Sequence, residues 1–248
     1  MSALSTNFDF QGMRQELRSN PKTQIALAAF ALASASIAAT PGTDNADESA
    51  YADGWSSGRN GGAGFKAWNL VLAGQGDAGG FFIGDSKKTG AADINTNSKS
   101  FGMFGHDKAK STDAYRSFDS PLEVGQSFSV EIQTNFRDGN KGFDLRGTDE
   151  KAIFNFNIGA DDYVVHLAAT GAGSIGNDYS NSTVFKLVFT QTSAAGGTWT
   201  LTRSGGFSKT VTGTYSGVAA GFKFYAAGTA DVPENDLSFN NLVIAGKQ

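Results

Sequence analysis

Cysteine is absent from the 248-residue sequence, and histidine and proline are scarce, with two and four residues respectively. Without cysteine the chain cannot form a disulfide scaffold, use a thiol nucleophile or bind zinc through thiolates. Charged residues make up 18% of the chain, below the roughly 25% typical of soluble domains, and the formal net charge of −4 argues against nucleic-acid or anionic-membrane partners. The 32 glycines, by contrast, exceed average usage and indicate many turns.

The signatures of common catalytic sites are also missing. Retaining β-sandwich glycosidases place alternating carboxylates along one strand, whereas Glu131, inside a predicted strand, has Ser129 and Gln133 as its neighbours two residues away. Neither His106 nor His166 follows a Gly-x-Ser-x-Gly elbow. No glycine-rich stretch has the strand-to-helix context of a nucleotide site. The sequence therefore favours a protein that is not an enzyme.

The N-terminal region has the order of a secretory signal peptide. A basic region at residues 13–24 precedes the uncharged stretch Ile25–Ala39, which is too short for a membrane-spanning helix because such a helix needs about 20 residues. We predict that residues 1–39 are a signal peptide, with Met13 as an alternative start, and that the mature chain has no transmembrane span. Its predicted location is secreted or at the cell surface. The alternative for this segment is an alanine-rich helix packed on the domain.

Apolar residues in the remainder of the chain recur with a period of two. In Phe154–Asn157, for example, phenylalanine and asparagine alternate. Such alternation predicts antiparallel strands with one buried face and one wet face. About a dozen such strands, separated by glycine-rich and Asp/Asn turns, predict an all-β, two-sheet antiparallel jelly-roll sandwich over residues 55–248. Residues 40–54 are predicted to be a polar, exposed N-terminal segment.

Five segments carry a resemblance to a known group of proteins. They are GGFFIGDS (79–86), SFGMFG (100–105), AYRSFDSPLEVGQSFSVEI (114–132), FYAAGT (224–229) and NDLSFNNLVI (235–244). In this order they resemble the uncharacterised β-jelly-roll modules of the concanavalin A-like type in exported bacterial proteins, some of which are fused to glycoside hydrolases. The resemblance rests on strand and turn patterns, so it implies a fold and export and does not imply an activity.

Carbohydrate binding is the function that the remaining side chains favour. Planar amides and charged groups bind sugar hydroxyls, and aromatic rings stack on the apolar faces of sugars. Strand alternation and one loop tryptophan supply the candidate ligand-binding residues Glu131, Gln133, Asn155, Asn157, Lys186, Tyr225 and Trp55. His166 has the same parity in its strand. We predict that the exported module binds a polysaccharide or a cell-surface glycan.

Two further predictions concern calcium and self-association. Asp138, Asn140 and Asp144 offer the hard oxygen ligands that calcium prefers, although their spacing is not that of an EF-hand. The alternative function is a structural or surface protein that self-assembles through sheet edges. At an edge, Val184–Thr192 would be prone to such pairing, with Lys186 as its gatekeeper. A glycan-active enzyme is the third and least favoured interpretation.

Overall fold

The computed structural model describes residues 41–74, 78–88, 90–106, 111–159 and 162–246. The predicted signal segment and the alternative start at Met13 lie outside these described residues. Within them the chain contains no α-helix, and its helical turns are short 3-10 segments such as Ser49–Tyr51 and Pro233–Asn235. None of the helical segments in this part of the chain has the length and apolar character needed to cross a membrane.

The described chain is built from antiparallel strands. In chain order these are β1 (Gly42–Asp44), β2 (Asn69–Ala73), β3 (Gly79–Gly84), β4 (Ser100–Gly105), β5 (Ser111–Ser117), β6 (Ser127–Gln133), β7 (Asn140–Gly147), β8 (Ala152–Asn157), β9 (Val164–Leu167), β10 (Gly173–Ser174), β11 (Val184–Ser193), β12 (Gly196–Ser204), β13 (Lys209–Ser216), β14 (Ala219–Ala227) and β15 (Leu237–Ala245). They form an eight-stranded and a seven-stranded sheet. The predicted all-β, two-sheet antiparallel jelly-roll sandwich is therefore confirmed.

Strands that are distant in sequence are neighbours in both sheets. The eight-stranded sheet has the order β13-β12-β11-β6-β15-β4-β3, with β1 also paired to β15. The seven-stranded sheet has the order β10-β9-β8-β7-β14-β5-β2. The segment Val184–Thr192 lies in β11, which is hydrogen-bonded to β12 on one side and to β6 on the other. It is thus a central strand, so it does not present the free edge at which it would be prone to pairing.

Aromatic side chains from both sheets fill the space between them. Phe222 and Phe224 of β14 are fully buried and stack on Phe128 of β6 and Phe239 of β15, with ring centroids 4.9 and 3.7 Å apart. Since β14 belongs to one sheet and β6 and β15 to the other, these contacts hold the two layers together. The period-two alternation of the sequence places such residues inwards.

Residues 41–54, the described part of the polar N-terminal segment, do not form the exposed tail that its composition predicts. Strand β1 pairs with β15, and the side chains of Asp44, Ala46 and Tyr51 are buried. The Asp44 carboxylate forms an ion pair with Arg116 of β5, in the opposite sheet. The sandwich therefore begins at β1, because this segment supplies a strand and a buried charge partner.

Arg116 is the centre of a buried polar network. Its Nε donates to the backbone carbonyl of Lys66 at 2.8 Å, and its Nη2 donates to the carbonyl of Gly61 at 2.9 Å. The hydroxyl of Tyr51 donates to the Asp44 carboxylate at 2.6 Å. These hydrogen bonds hold the loop after β1 against β5, and they satisfy charges that burial would otherwise leave costly.

We expect Asp44→Ala to lower the free energy of unfolding by about 3–5 kcal/mol, because it leaves the Arg116 guanidinium buried without its charge partner. Denaturant unfolding followed by tryptophan fluorescence measures this loss. Asp47→Ala is the matched control, since the Asp47 carboxylate contacts Lys99 at an exposed site and its loss should change stability little. Equal stabilities of the two variants would contradict the structural importance of the buried pair.

The two faces of β8 should respond differently to truncation. Phe156 is fully buried, so Phe156→Ala should cost about 3–5 kcal/mol of unfolding free energy. Asn157 is half-buried on the opposite face, and Asn157→Ala should cost about 1 kcal/mol through its lost hydrogen bonds. Thermal and denaturant unfolding of both variants test the assignment, and similar losses would show that it is wrong.

Candidate functional site

Polar side chains form a row across the outer face of the seven-stranded sheet. The strand register places Tyr115 of β5 opposite Lys223 of β14, and Lys223 opposite Asp144 of β7. Asp144 in turn lies opposite Asn155 of β8. The residues that alternate with these, such as Phe143, are buried between the sheets, so the row faces away from the core.

A second row runs beside the first and contains an aromatic ring. Asp113 of β5 lies opposite Tyr225 of β14, which lies opposite Gly142 of β7 and then Asn157 of β8. A Cβ added at Gly142 would come within 2.8 Å of the Cζ of Tyr225. The glycine therefore leaves the space through which the phenol group crosses β7 to reach β8.

The Tyr225 hydroxyl is held by the amides of β8. The Nδ2 atoms of Asn155 and Asn157 donate to it at 3.0 and 3.3 Å. Burial raises the pKa of the Tyr225 hydroxyl to about 12, so the group stays protonated at physiological pH. A half-buried aromatic ring is thus fixed in place between two planar amides on the outer face.

Lys223 lies between two carboxylates in the same region. Its Nζ is 3.0 Å from Asp144 Oδ2 and 3.8 Å from Asp113 Oδ1. Asn155 Nδ2 also donates to the other oxygen of Asp144 at 2.6 Å. Burial raises the pKa of the Asp113 carboxyl, while the Lys223 ammonium acts in the opposite direction. The positions of these charged groups are set by one another and by rigid neighbouring strands.

These side chains border an open cavity of about 510 Å³, which we call the Tyr225 groove. It is lined by Ser111, Asp113, Asn140, Asp144, Asn155, Asn157, His166, Lys223, Tyr225 and Ala227. All but one of these lining residues are polar. The groove offers several hydrogen-bond donors and acceptors around an aromatic ring, which is the chemistry that sugar hydroxyls and sugar ring faces require.

Five residues predicted for two different roles meet in the Tyr225 groove. Asn155, Asn157 and Tyr225 were predicted as glycan ligands, and Asn140 and Asp144 as calcium ligands. His166, which shares their parity, lines the groove as well. Asp113 and Lys223 also lie there and were not predicted as site residues. Alternation in their strands indicates that they face outwards, but only the strand order shows that they flank the same cavity.

Two predicted ligand residues lie on the outer face of the other sheet. Glu131 of β6 and Lys186 of β11 are directly opposite each other, with Nζ and Oε1 3.9 Å apart. Asn241 Nδ2 also donates to Glu131 at 2.7 Å. Because they lie on the eight-stranded sheet, these two residues are separate from the Tyr225 groove. Strand alternation predicts which way their side chains point but not the sheet to which they belong.

The structure corrects the placement of two other predicted residues. Trp55 is not at an exposed loop edge; it is buried in the core, with ring centroids 5.0 Å from Trp68 and 5.1 Å from Phe101. Gln133 is buried rather than exposed, because the alternation breaks at the end of β6, where Ile132 and Gln133 are both inaccessible to solvent. Neither side chain is available to a ligand on the surface.

The three residues predicted to bind calcium each accept a hydrogen bond from the protein. Asp138 accepts from the backbone amide of Ala230 at 2.6 Å. Asn140 accepts from Asn157, and Asp144 from Asn155. Across the part of the chain that the structure describes, no group of three or more histidine, aspartate or glutamate side chains could hold a metal ion. Calcium binding therefore stays a prediction.

Comparison with known proteins finds similarity in fold only. No protein-family model matches the chain, and no curated protein matches it significantly. Solved structures that match include the enzymatically active domain of bacteriophage CBA120 tailspike protein 4, at 12% identity and a TM-score of 0.35, covering 72% of this chain and 19% of that one. This chain thus spans about a fifth of the length of that tailspike chain.

Two further matches cover most of both chains. The marine PL-14 alginate lyase from Aplysia kurodai is 11% identical with a TM-score of 0.39, covering 71% of this chain and 90% of that one. The family 11 carbohydrate-binding module from Clostridium thermocellum is 10% identical with a TM-score of 0.32, covering 73% and 89%. At these identities, the function of the present chain has to be inferred from its own residues.

The coupling between Lys223 and Asp113 can be tested by titration. Lys223→Ala removes the cation that opposes the effect of burial, so we expect the pKa of the Asp113 carboxyl to rise further above its ordinary value. A pH titration of the carboxyl carbon by NMR measures the change. Lys186→Ala, which removes a cation from the other sheet, should leave this pKa unchanged. A lowered or constant Asp113 pKa in Lys223→Ala would contradict the coupling.

Proposed function

We propose that this protein binds carbohydrate in the Tyr225 groove and is not itself an enzyme. The observation that carries the proposal is the fixed arrangement of one aromatic ring, Tyr225, between the amides of Asn155 and Asn157. The two N–H donors of each amide are used within the protein, and the amide oxygens can still accept hydrogen bonds from sugar hydroxyls. The tyrosine ring supplies a surface for the apolar face of that sugar.

The charged groups of the groove strengthen this proposal. Lys223 is partly accessible and Asp144 is mostly buried, with 11% of its side chain exposed, and both lie next to the amides on adjoining strands. Hydrogen bonds from hydroxyls to an ionised carboxylate are stronger than those between neutral groups. Because the side chains come from paired strands rather than from loops, little conformational freedom has to be lost when a ligand binds.

The position of Lys223 favours binding over hydrolysis. A glycosidase needs the reacting sugar carbon to enter between its two carboxyl groups. Here the space between Asp113 and Asp144 holds the Lys223 ammonium, which is within 3.8 Å of an oxygen of each.

The proposal includes the location of the protein. We propose that it is secreted or displayed at the cell surface, where polysaccharides are abundant.

Affinity electrophoresis against a panel of polysaccharides tests the proposal. The panel includes alginate and mixed-linked β-1,3-1,4-glucan, which appear in the names of two structural neighbours. We expect at least one polymer to retard the protein, and Tyr225→Ala to weaken that binding about tenfold or more by removing the central ring. Lys87→Ala, at an exposed site outside the Tyr225 groove, is the matched control and should be retarded like the unaltered protein.

Two other outcomes of this experiment have definite meanings. Lack of retardation by every polymer, combined with a concentration-dependent size in sedimentation, would contradict glycan binding and support self-assembly through sheet edges.

The same electrophoresis tests the predicted calcium site. Each polymer is run with calcium and with a chelator. Retardation that disappears in the chelator would support the predicted calcium ligands Asp138, Asn140 and Asp144.

A further inference from the structure

A second cavity continues the Tyr225 groove along the same strands. It has a volume of about 550 Å³. Its lining includes Tyr115, Arg116 and Ser117 of β5, Arg146 of β7 and Gly221 of β14. Both cavities draw on β5, β7 and β14, and the outward-facing Tyr115 and Arg146 place the second cavity next to the groove, towards the end of these strands.

The distance along the strands shows that the two cavities are successive. On β5 the lining runs from Ser111 in the first cavity to Ser117 in the second, which is about 20 Å at the rise of an antiparallel strand. On β7 the first cavity uses Asp144 and the second uses Arg146, the next outward-facing residue. The combined length is several times the width of one sugar ring.

Aromatic and cationic groups alternate across the junction of the two cavities. The Nζ of Lys223 lies 5.0 Å from the ring centroid of Tyr225 and 5.9 Å from that of Tyr115. The guanidinium carbon of Arg146 lies 4.9 Å from the same Tyr115 ring. Lys223 of the first lining therefore contacts Tyr115 of the second, so the two cavities are adjacent.

Arg146 has donors that the described part of the protein does not use. Its contact with the Tyr115 ring is a cation–π interaction, and no hydrogen bond or ion pair joins its guanidinium to the described residues. Arg116 in the same lining, by contrast, is buried and fully engaged with Asp44 and backbone carbonyls. A planar guanidinium presents parallel N–H groups that match two adjacent oxygen atoms.

We propose that this second cavity, the Arg146 subsite, binds the continuation of the glycan chain held in the Tyr225 groove. The ligand is then a linear polysaccharide that follows the strands, not a terminal sugar. Arg146 donates to a pair of adjacent oxygens on one sugar unit, either a carboxylate or two neighbouring hydroxyls, while the Tyr115 ring holds the guanidinium flat. This inference rests on the proposed carbohydrate-binding function.

Calorimetric titration with oligosaccharides of increasing length tests the inference. The probes are two series from disaccharide to hexasaccharide, one derived from alginate and one from mixed-linked β-1,3-1,4-glucan. In the series that binds, the hexasaccharide should bind about tenfold or more tightly than the disaccharide, because only the longer chain reaches both cavities. An effect in the alginate series alone indicates a carboxylate as the partner of Arg146, and an effect in the glucan series indicates hydroxyls.

Arg146→Ala should abolish most of this length dependence. We expect it to weaken hexasaccharide binding about tenfold and disaccharide binding much less. Lys87→Ala removes a cation from an exposed site outside both cavities and is the matched control, and the melting temperature of each variant verifies folding. Tyr225→Ala should weaken both oligosaccharides, because its ring lies in the first cavity.

Three results would overturn the inference. They are equal affinities for short and long oligosaccharides, an unchanged hexasaccharide affinity in a folded Arg146→Ala variant, and no binding of any oligosaccharide. Electrophoresis with the intact polymers then separates this failure from failure of the proposed function. Retardation that depends on Tyr225 but not on Arg146 leaves the Tyr225 groove as the binding site and removes only the second subsite.

Discussion

The ion pair between Arg116 and Asp44 is the interaction on which the assembly of the sandwich depends. Arg116 belongs to the seven-stranded sheet and Asp44 to the eight-stranded sheet, and both side chains are completely excluded from solvent. The Arg116 guanidinium also lies 4.8 Å from the ring of Phe65 and 4.7 Å from that of Trp68. Desolvating such charges is costly, so the chain that follows β1 supplies hydrogen-bond partners for Arg116, the carbonyls of Gly61 and Lys66. That chain includes Lys66, which forms part of the wall of the second cavity.

The seven-stranded sheet performs a different task on each face. Phe222 and Phe224 of β14 point inwards and contribute to the aromatic core. Lys223 and Tyr225, which alternate with them, point outwards and border the groove. The core therefore supplies the rigidity that keeps the outer side chains in fixed positions, and Gly142 leaves room for the Tyr225 phenol to cross its neighbouring strand. The alternation of side chains along each strand thus places the core residues on one face of the sheet and the candidate binding residues on the other.

Strand alternation predicted part of the candidate site. It correctly placed Asn155, Asn157 and Tyr225 on an outer face, because the period of two is a local property of extended chains. It was wrong for Gln133, where the pattern breaks at a strand end, and the loop residue Trp55 has no alternation to guide its placement. A loop tryptophan can fold back into the core. Here Trp55 packs against four aromatic rings, those of Trp68, Phe81, Phe101 and Phe239.

The amino-acid sequence by itself determined the absence of thiol chemistry, the antiparallel strands and the inward or outward direction of their side chains, because these follow from composition and local periodicity. Only the tertiary structure decided which strands are neighbours. Asn155 and Tyr225 are separated by 70 residues, yet β14 inserts between β5 and β7 and brings the two side chains into hydrogen-bond contact. Glu131 and Lys186 have equally suitable patterns but belong to the other sheet. Strand order depends on hydrogen bonding and packing between distant segments, which no local pattern encodes.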